Sequence, residues 1–216
     1  MKTVLILGAN GATAQIVTMR LLAETTFDLR LYLRNAERLA QFNNEPRIQL
    51  IEGDILDDQS LNKAMTKVDL VYSNLGGVDL ANLTTQVLKT MKENNCERLL
   101  FYSALGALHE VPGKFGAWNE QAIAAYLPGF RASDELIRNE SGINTTQFRP
   151  AWLTNKKEVN YEVTLEGESF QGTEISRASV ADFIVKLIKD PTLYPNTSVG
   201  LDQPGTDGDY PEWLKE

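Results

Sequence analysis

The chain has 216 residues, 43% of them hydrophobic, a formal net charge of −8 and one cysteine, Cys96. This suits one α/β domain covering 1–216 and excludes an internal disulfide or a cysteine-rich metal site, so no metal is expected. With no Lys/Arg stripe and no apolar run near the ~20 residues of a membrane span, neither nucleic acid nor a bilayer is an expected partner.

Residues 3–7 are a short apolar run that reads as a buried strand. It breaks at Gly8, and helical spacing follows through Ile16, Val17, Met19, Leu21 and Leu22. Between the two lies Gly8-Ala9-Asn10-Gly11-Ala12-Thr13-Ala14. Gly8 permits a sharp turn, Gly11 lets a phosphate approach the backbone, and Ala14 is small enough for close helix–sheet packing. The helix N-terminus offers free N–H groups and a positive dipole end to a pyrophosphate. The stretch therefore predicts a dinucleotide site; the plain alternative is a strand–turn–helix without a ligand.

Residues 28–34 alternate as a strand does, and Asn35 can cap a short helix through Leu39 and Phe42. A third strand is expected at 48–51, a helix opened by Asp57 and Asp58, a fourth strand at 68–72, a helix at 80–94 and a fifth strand at 98–102. This alternation predicts a doubly wound parallel sheet. Residues 104–129 contain Pro112, Gly113, Gly116, Pro128 and Gly129 and read as a long excursion with a short helix within 119–126. A helix at 130–139, a strand at 145–148, a hairpin of 159–165 with 169–170, a helix at 178–189 capped by Ser176 and a last strand at 199–201 follow. Residues 203–216 are too rich in Pro, Gly and Asp to assign. The part from about 150 onward is expected to be a small, loop-rich substrate region.

Ligands of open parallel sheets lie beyond the carboxyl ends of the strands. Arg34 ends the second strand and Arg38 stands one helical turn on. A guanidinium there suits a 2′-phosphate and predicts NADP(H) over NAD(H); the alternative is a solvated arginine pair. Asp54 and Ile55 fit the edge and face of an adenine, or Asp54 caps the next helix. Asn74, Leu75 and Gly76 form a small loop beside the expected cofactor ribose; Gly76-Gly77 is also a plausible simple turn.

These residues resemble the short-chain dehydrogenase/reductase superfamily, in its atypical NmrA-like branch of NAD(P)-binding proteins. The similarity is carried by residues 8–14, Arg34-Asn35, Gly53-Asp54-Ile55, Tyr102-Ser103-Ala104, residues 141–146, Arg149-Pro150-Ala151-Trp152-Leu153 and residues 174–181. Residues 111–116 with Trp118-Asn119 are similar to a bacterial epimerase/dehydratase-like subgroup. The resemblance covers roughly 1–190 and implies a Rossmann fold with a nicotinamide cofactor.

The superfamily's usual catalytic set is a Ser with Tyr-x-x-x-Lys, and Ser103 matches the serine. Phe130 stands four residues after Tyr126, and Arg131 takes the place where atypical members carry the Lys. Arg131 would hold a ribose hydroxyl or phosphate but cannot relay a proton. His109, the one histidine, and Tyr126 are the substitute proton donors, each set against simple exposure. Tyr102 is expected to pack, as are Phe115, Trp118 and Trp152, which otherwise line an apolar pocket over the nicotinamide. Candidate catalytic residues are Ser103, Tyr126 and His109. Candidate cofactor residues are Gly8, Asn10, Gly11, Ala12, Thr13, Ala14, Arg34, Arg38, Asp54, Ile55, Asn74, Leu75, Gly76, Ser103 and Arg131.

The expected function is NADP(H)-dependent hydride transfer to a small carbonyl, quinone or flavin acceptor. A non-catalytic NADP(H)-binding redox sensor acting through a protein partner is the rival, and a sugar epimerase or dehydratase comes third. Met1-Lys2 leading straight into a strand, with a single cysteine, leads to the expectation of a cytoplasmic protein, with a homodimer or another protein as possible company.

Overall fold

The computed structural model describes residues 2–214. Strands β1 (Thr3–Leu7), β2 (Asp28–Leu33), β3 (Ile48–Glu52), β4 (Leu70–Ser73), β5 (Arg98–Tyr102) and β6 (Asn144–Pro150) alternate with helices α1 (Ala12–Glu24), α2 (Asp58–Met65), α3 (Leu80–Glu93), α4 (Gly113–Ala122) and α5 (Leu127–Arg138). A 3-10 segment, Ala36–Phe42, links β2 to β3, with the Asn35 side chain accepting from the Glu37 N–H at 3.1 Å. The C-terminal part adds β7 (Trp152–Thr154), β8 (Glu162–Thr164), β9 (Glu174–Ser176), α6 (Arg177–Lys189) and β10 (Thr197–Asp202).

Eight strands form one sheet in the order β3-β2-β1-β4-β5-β6-β10-β8, parallel throughout except for the antiparallel edge strand β8. The side chains of β1 show why helices cover both faces. Val4 and Ile6 belong to one buried cluster, with Val17 and Leu21 of α1 and Val180 and Ile184 of α6. Leu5 and Leu7 belong to a second, with Leu61 of α2, Val87 and Met91 of α3 and Ile137 of α5. A strand apolar on both faces is stable only between two layers of helix. The chain moves outward from β1 to β3 and then returns to β4 on the other side of β1. A crevice therefore opens where the strand order reverses, between the ends of β1 and β4.

The structure corrects two expectations and fills in the unassigned tail. Residues 104–129 are half helix: α4 starts after Pro112 and α5 carries Pro128 in its first turn, where a missing N–H costs nothing. The hairpin of 159–165 with 169–170 does not form. Residues Glu162–Thr164 pair with β10, and Phe170 is buried instead against Gly200, where a Cβ would stand 2.6 Å from its ring. The described part of the tail is tied down rather than loose. The Thr173 hydroxyl donates to the Thr206 carbonyl at 2.6 Å, and the Glu212 N–H donates to Glu174 at 2.7 Å. Residues 215 and 216, part of the tail left unassigned above, lie outside the described residues.

Candidate functional site

The turn after β1 is shaped by the end of β4. Gly8 has φ +69°, and a Cβ on it would stand 2.7 Å from the Asn74 carbonyl oxygen. A Cβ on Gly11 would stand 2.1 Å from Asn74 Nδ2. The glycines thus leave room for the Asn74 side chain as well as for a ligand. That side chain is held in turn: the buried Tyr72 hydroxyl donates to Asn74 Oδ1 at 2.7 Å, and Asn74 Nδ2 reaches toward the Gly8 carbonyl at 3.5 Å. Gly11 is the N-cap of α1 and no side chain caps that helix. Ala14 is fully buried beneath the turn.

Two cavities adjoin along the carboxyl ends of the strands. The first has a volume of about 740 Å³ and is walled by the β1 turn, the ends of β2 and β3, and residues 74–79. Arg34 and Arg38 stand on its wall, and neither forms an ion pair among the described residues. The nearby Glu52 carboxylate is occupied by the Ala36 N–H at 2.9 Å. Asp54 and Ile55 line the same cavity. Asp57, not Asp54, caps α2, accepting from the Ser60 N–H at 3.1 Å, while Asp54 Oδ1 accepts from the Leu56 N–H at 2.9 Å. Tyr32 also lines the cavity, anchored by donating to the Asp54 carbonyl at 2.8 Å, and burial pushes its phenol up.

The second cavity, of about 620 Å³, shares Asn74, Leu75 and Gly76 with the first. Ala12, Thr13, Tyr102, Ser103, Trp152 and Arg177 stand around it. The hydroxyls of Ser103 and Tyr102 are buried and have no hydrogen-bond partner. Burial pushes the Tyr102 phenol up to about 12, against a smaller opposing pull from Thr13 and Arg177. A buried hydroxyl left unpaired costs free energy, so these two groups suit a ligand that supplies the missing bonds. Uncapped N–H groups at α1, a glycine-lined approach and two unpaired arginines at the far end together fit a phosphorylated dinucleotide lying across both cavities.

A family model for NAD(P)H-binding proteins matches residues 8–191. The chain belongs to that family. Among solved structures, this NAD(P)H-binding protein is similar to a short-chain dehydrogenase/reductase from Veillonella parvula in complex with NADP, with 30% identity, a TM-score of 0.92, and coverage of 98% of this chain and 99% of that one. A Rossmann-fold NAD(P)-binding family protein from Shigella flexneri is 36% identical, with a TM-score of 0.82 and coverage of 98% of each chain. An anaerobilin reductase from Escherichia coli O157:H7, 18% identical with a TM-score of 0.81, shares the fold. No curated protein matches the chain.

Within this NAD(P)H-binding fold, Gly8, Asn10, Gly11, Arg34, Arg38, Asp54, Ile55, Asn74, Leu75 and Gly76 come together around the first cavity. Ala12, Thr13 and Ser103 line the second. Ala14 lines neither cavity, and three further candidates are held elsewhere. The Arg131 guanidinium donates to the Gly106 carbonyl at 2.9 Å, is bonded to Glu120 and faces His109 Nδ1 at 3.2 Å, so it is spent on joining loop to helix. His109 has φ +58° and a side chain 69% exposed, and Tyr126 is 46% exposed; neither lines a cavity of the cleft. The cause lies in Glu110. Its carboxylate accepts from the N–H groups of Gly106 and Leu108 and pairs with the buried Arg149, which folds the loop back and turns His109 to solvent.

Sequence reasoning missed Tyr32, Asn119 and Arg177, gave Tyr102 to packing, and left Trp152 between packing and an apolar pocket wall; Tyr102 and Trp152 both line the second cavity. Trp152 comes to the second cavity on β7 and Arg177 on the first residue of α6, directly after β9; β7 and β9 are a parallel pair in the register Trp152↔Glu174, Leu153↔Ile175 and Thr154↔Ser176. Strands of three residues separated by about twenty leave no pattern that would reveal the pairing. The one available signal was the Ser176 cap, whose side chain accepts from the Ser179 N–H at 2.9 Å and sets Arg177 as the first residue of α6.

Proposed function

We propose that this chain is an NADP(H)-dependent oxidoreductase acting on a small carbonyl, quinone or flavin acceptor. The observation that carries the reading is the buried, unpartnered pair of hydroxyls, Ser103 Oγ and Tyr102 Oη, in a cavity continuous with the dinucleotide cleft. NADPH, when bound, supplies the hydride. Arg34 and Arg38 hold the 2′-phosphate, as paired guanidinium donors do well. The N–H groups at the start of α1 receive the pyrophosphate, and the Asp54–Ile55 corner takes the adenine. Ser103 donates a hydrogen bond to the acceptor oxygen or ring nitrogen.

Tyr102 is protonated at neutral pH like any phenol, and burial pushes it further up, making it harder to ionise. It therefore serves as a hydrogen-bond donor and not as a ready proton source. A quinone or flavin suits such a site. It takes up the hydride and one proton, and water can deliver that proton. The relative from Veillonella parvula in complex with NADP supports the choice of cofactor.

One observation favours the sensor reading: among the described residues no lysine or histidine lines either cavity of the cleft. A single assay separates the two. NADPH oxidation is followed at 340 nm against a panel of quinones, flavins, aldehydes and diketones, with NADH in parallel. Turnover with NADPH supports the oxidoreductase. Tight NADPH binding without turnover on any acceptor overturns it in favour of the sensor.

A further inference from the structure

The second cavity is chemically lopsided. Ile123, Phe130, Leu105 and Leu153 make most of its wall apolar. Among the described residues Arg177 is the one charged side chain on that wall, and no acid stands with it. Among the described residues Arg177 forms no ion pair; its one side-chain hydrogen bond runs to the neutral amide oxygen of Asn155 at 2.7 Å. On a chain of net charge −8, a half-buried guanidinium without a carboxylate is a cation waiting for an anion.

Trp152 supplies the other half of the recognition. Its indole N–H donates to Asn119 Oδ1 at 2.9 Å, and Asn119 Nδ2 donates to the Leu105 carbonyl at 3.0 Å, so the ring is fixed before any ligand arrives. Trp118 backs it at 4.7 Å between ring centroids and Trp213 at 5.9 Å. A pre-positioned indole in an apolar cavity favours a flat aromatic partner, whose π-face it can meet without losing rotamer freedom.

Building on the oxidoreductase reading, we propose that the acceptor is a planar aromatic molecule bearing an anionic substituent, its ring against Trp152 and its anion on Arg177. Ser103 and Tyr102, on the wall of the same cavity, then meet the polar atoms of the ring. The 2′-phosphate and pyrophosphate of the cofactor have their own partners at Arg34, Arg38 and the α1 N-terminus, which leaves Arg177 for the acceptor.

The test reads binding rather than turnover, so it stands apart from whether the protein is an enzyme. All three tryptophans of the chain, Trp118, Trp152 and Trp213, lie in this cluster, so intrinsic fluorescence reports on the cavity. The NADP⁺-loaded protein is titrated with two matched pairs: FMN against riboflavin, and 1,2-naphthoquinone-4-sulfonate against 1,2-naphthoquinone. The expected result is that the anionic member of each pair binds about tenfold more tightly, the scale of one charge-assisted contact. Arg177→Met is expected to erase that preference while leaving NADPH affinity within about threefold, and Arg177→Lys to restore part of it. Equal binding of charged and neutral members by the unaltered protein overturns the proposal. So does an Arg177→Met protein whose NADPH affinity falls as far as its FMN affinity, since Arg177 would then be a cofactor ligand. Absence of turnover, with the anionic preference intact, would overturn only the oxidoreductase reading.

Discussion

The cofactor half and the substrate half of the cleft are built by different means. The wall that would hold the dinucleotide comes from successive strand–turn–helix units: Gly8 and Gly11 after β1, Arg34 after β2, Asp54 after β3 and Asn74 after β4. Each turn is a local event, and the parallel register of the sheet lines the turns up on one edge. The wall of the second cavity, the proposed acceptor site, comes from residues distant in sequence: Ser103, Asn119, Trp152 and Arg177. They are brought together by a two-stranded ribbon, a folded-back loop and the tail that packs Trp213 and Tyr210 onto Trp152 and Trp118. A local unit can be recognised piece by piece. A wall assembled by long-range contacts depends on a few polar anchors, and losing one should disturb it while sparing the other half.

The largest expected effect tests that dependence. Glu110→Ala leaves Arg149, 2% exposed, without its ion-pair partner, and should lower unfolding stability by about 3–5 kcal/mol in urea denaturation. The protein that remains folded should keep its NADPH affinity, because none of the first cavity's wall rests on this pair. Loss of NADPH binding in proportion would show that the two halves form one cooperative unit. On the cofactor side, Arg34→Asp should weaken NADPH by about 10- to 100-fold and leave NADH almost unchanged, as measured by fluorescence titration. An unaltered NADPH affinity would remove the arginine pair from the site.

A third test uses pH. Asp202, at the end of β10, is buried, with Glu162 and Asp207 as acidic neighbours, and its carboxyl is pushed up to about 7. One of its oxygens accepts from the Gly172 N–H at 3.1 Å, and the other has no partner. In the unfolded chain the group ionises near pH 3.9, whereas in the fold it holds its proton until about 7. The unfolded state therefore binds fewer protons between those values, and stability falls as pH rises from about 4 to 7 and levels off above. Asp202→Asn should remove this loss, gaining roughly 1–2 kcal/mol at pH 8 and nothing at pH 4, with NADPH affinity unchanged. A stability profile that keeps its slope in the variant would rule Asp202 out as its source.

A fourth test sets the two exposed candidates, where the smallest effect is expected, against Ser103. His109→Ala and Tyr126→Phe should change kcat by less than about threefold, since both side chains face solvent, while Ser103→Ala should lower it by about a hundredfold. A large loss on His109→Ala would mean that the loop of residues 104–112 closes over the acceptor.

The doubly wound sheet and most of the first cavity's wall were legible in the sequence, and the reason is physical. Apolar runs of strand length, helical spacing and glycines at turns act over a few residues, so each β–turn–α unit carries its own signature. The expected roles of Gly11 and Asp54 show the limit even there. Gly11 is bare partly because Asn74, sixty-three positions later, reaches toward it, and Asp57 took the helix cap that Asp54 was offered. In the acceptor half, local signals pointed the wrong way. His109 and Arg131 are the residue types a catalytic loop would carry, but Glu110 and Glu120 had already claimed that loop. Trp152 and Arg177 look like an ordinary core tryptophan and a helix-start arginine until β7 pairs with β9. Chemistry at single turns was settled by the chain itself. Which distant side chains share a cavity was decided only by tertiary pairing, because burial and ion pairing between remote segments leave no period in the sequence.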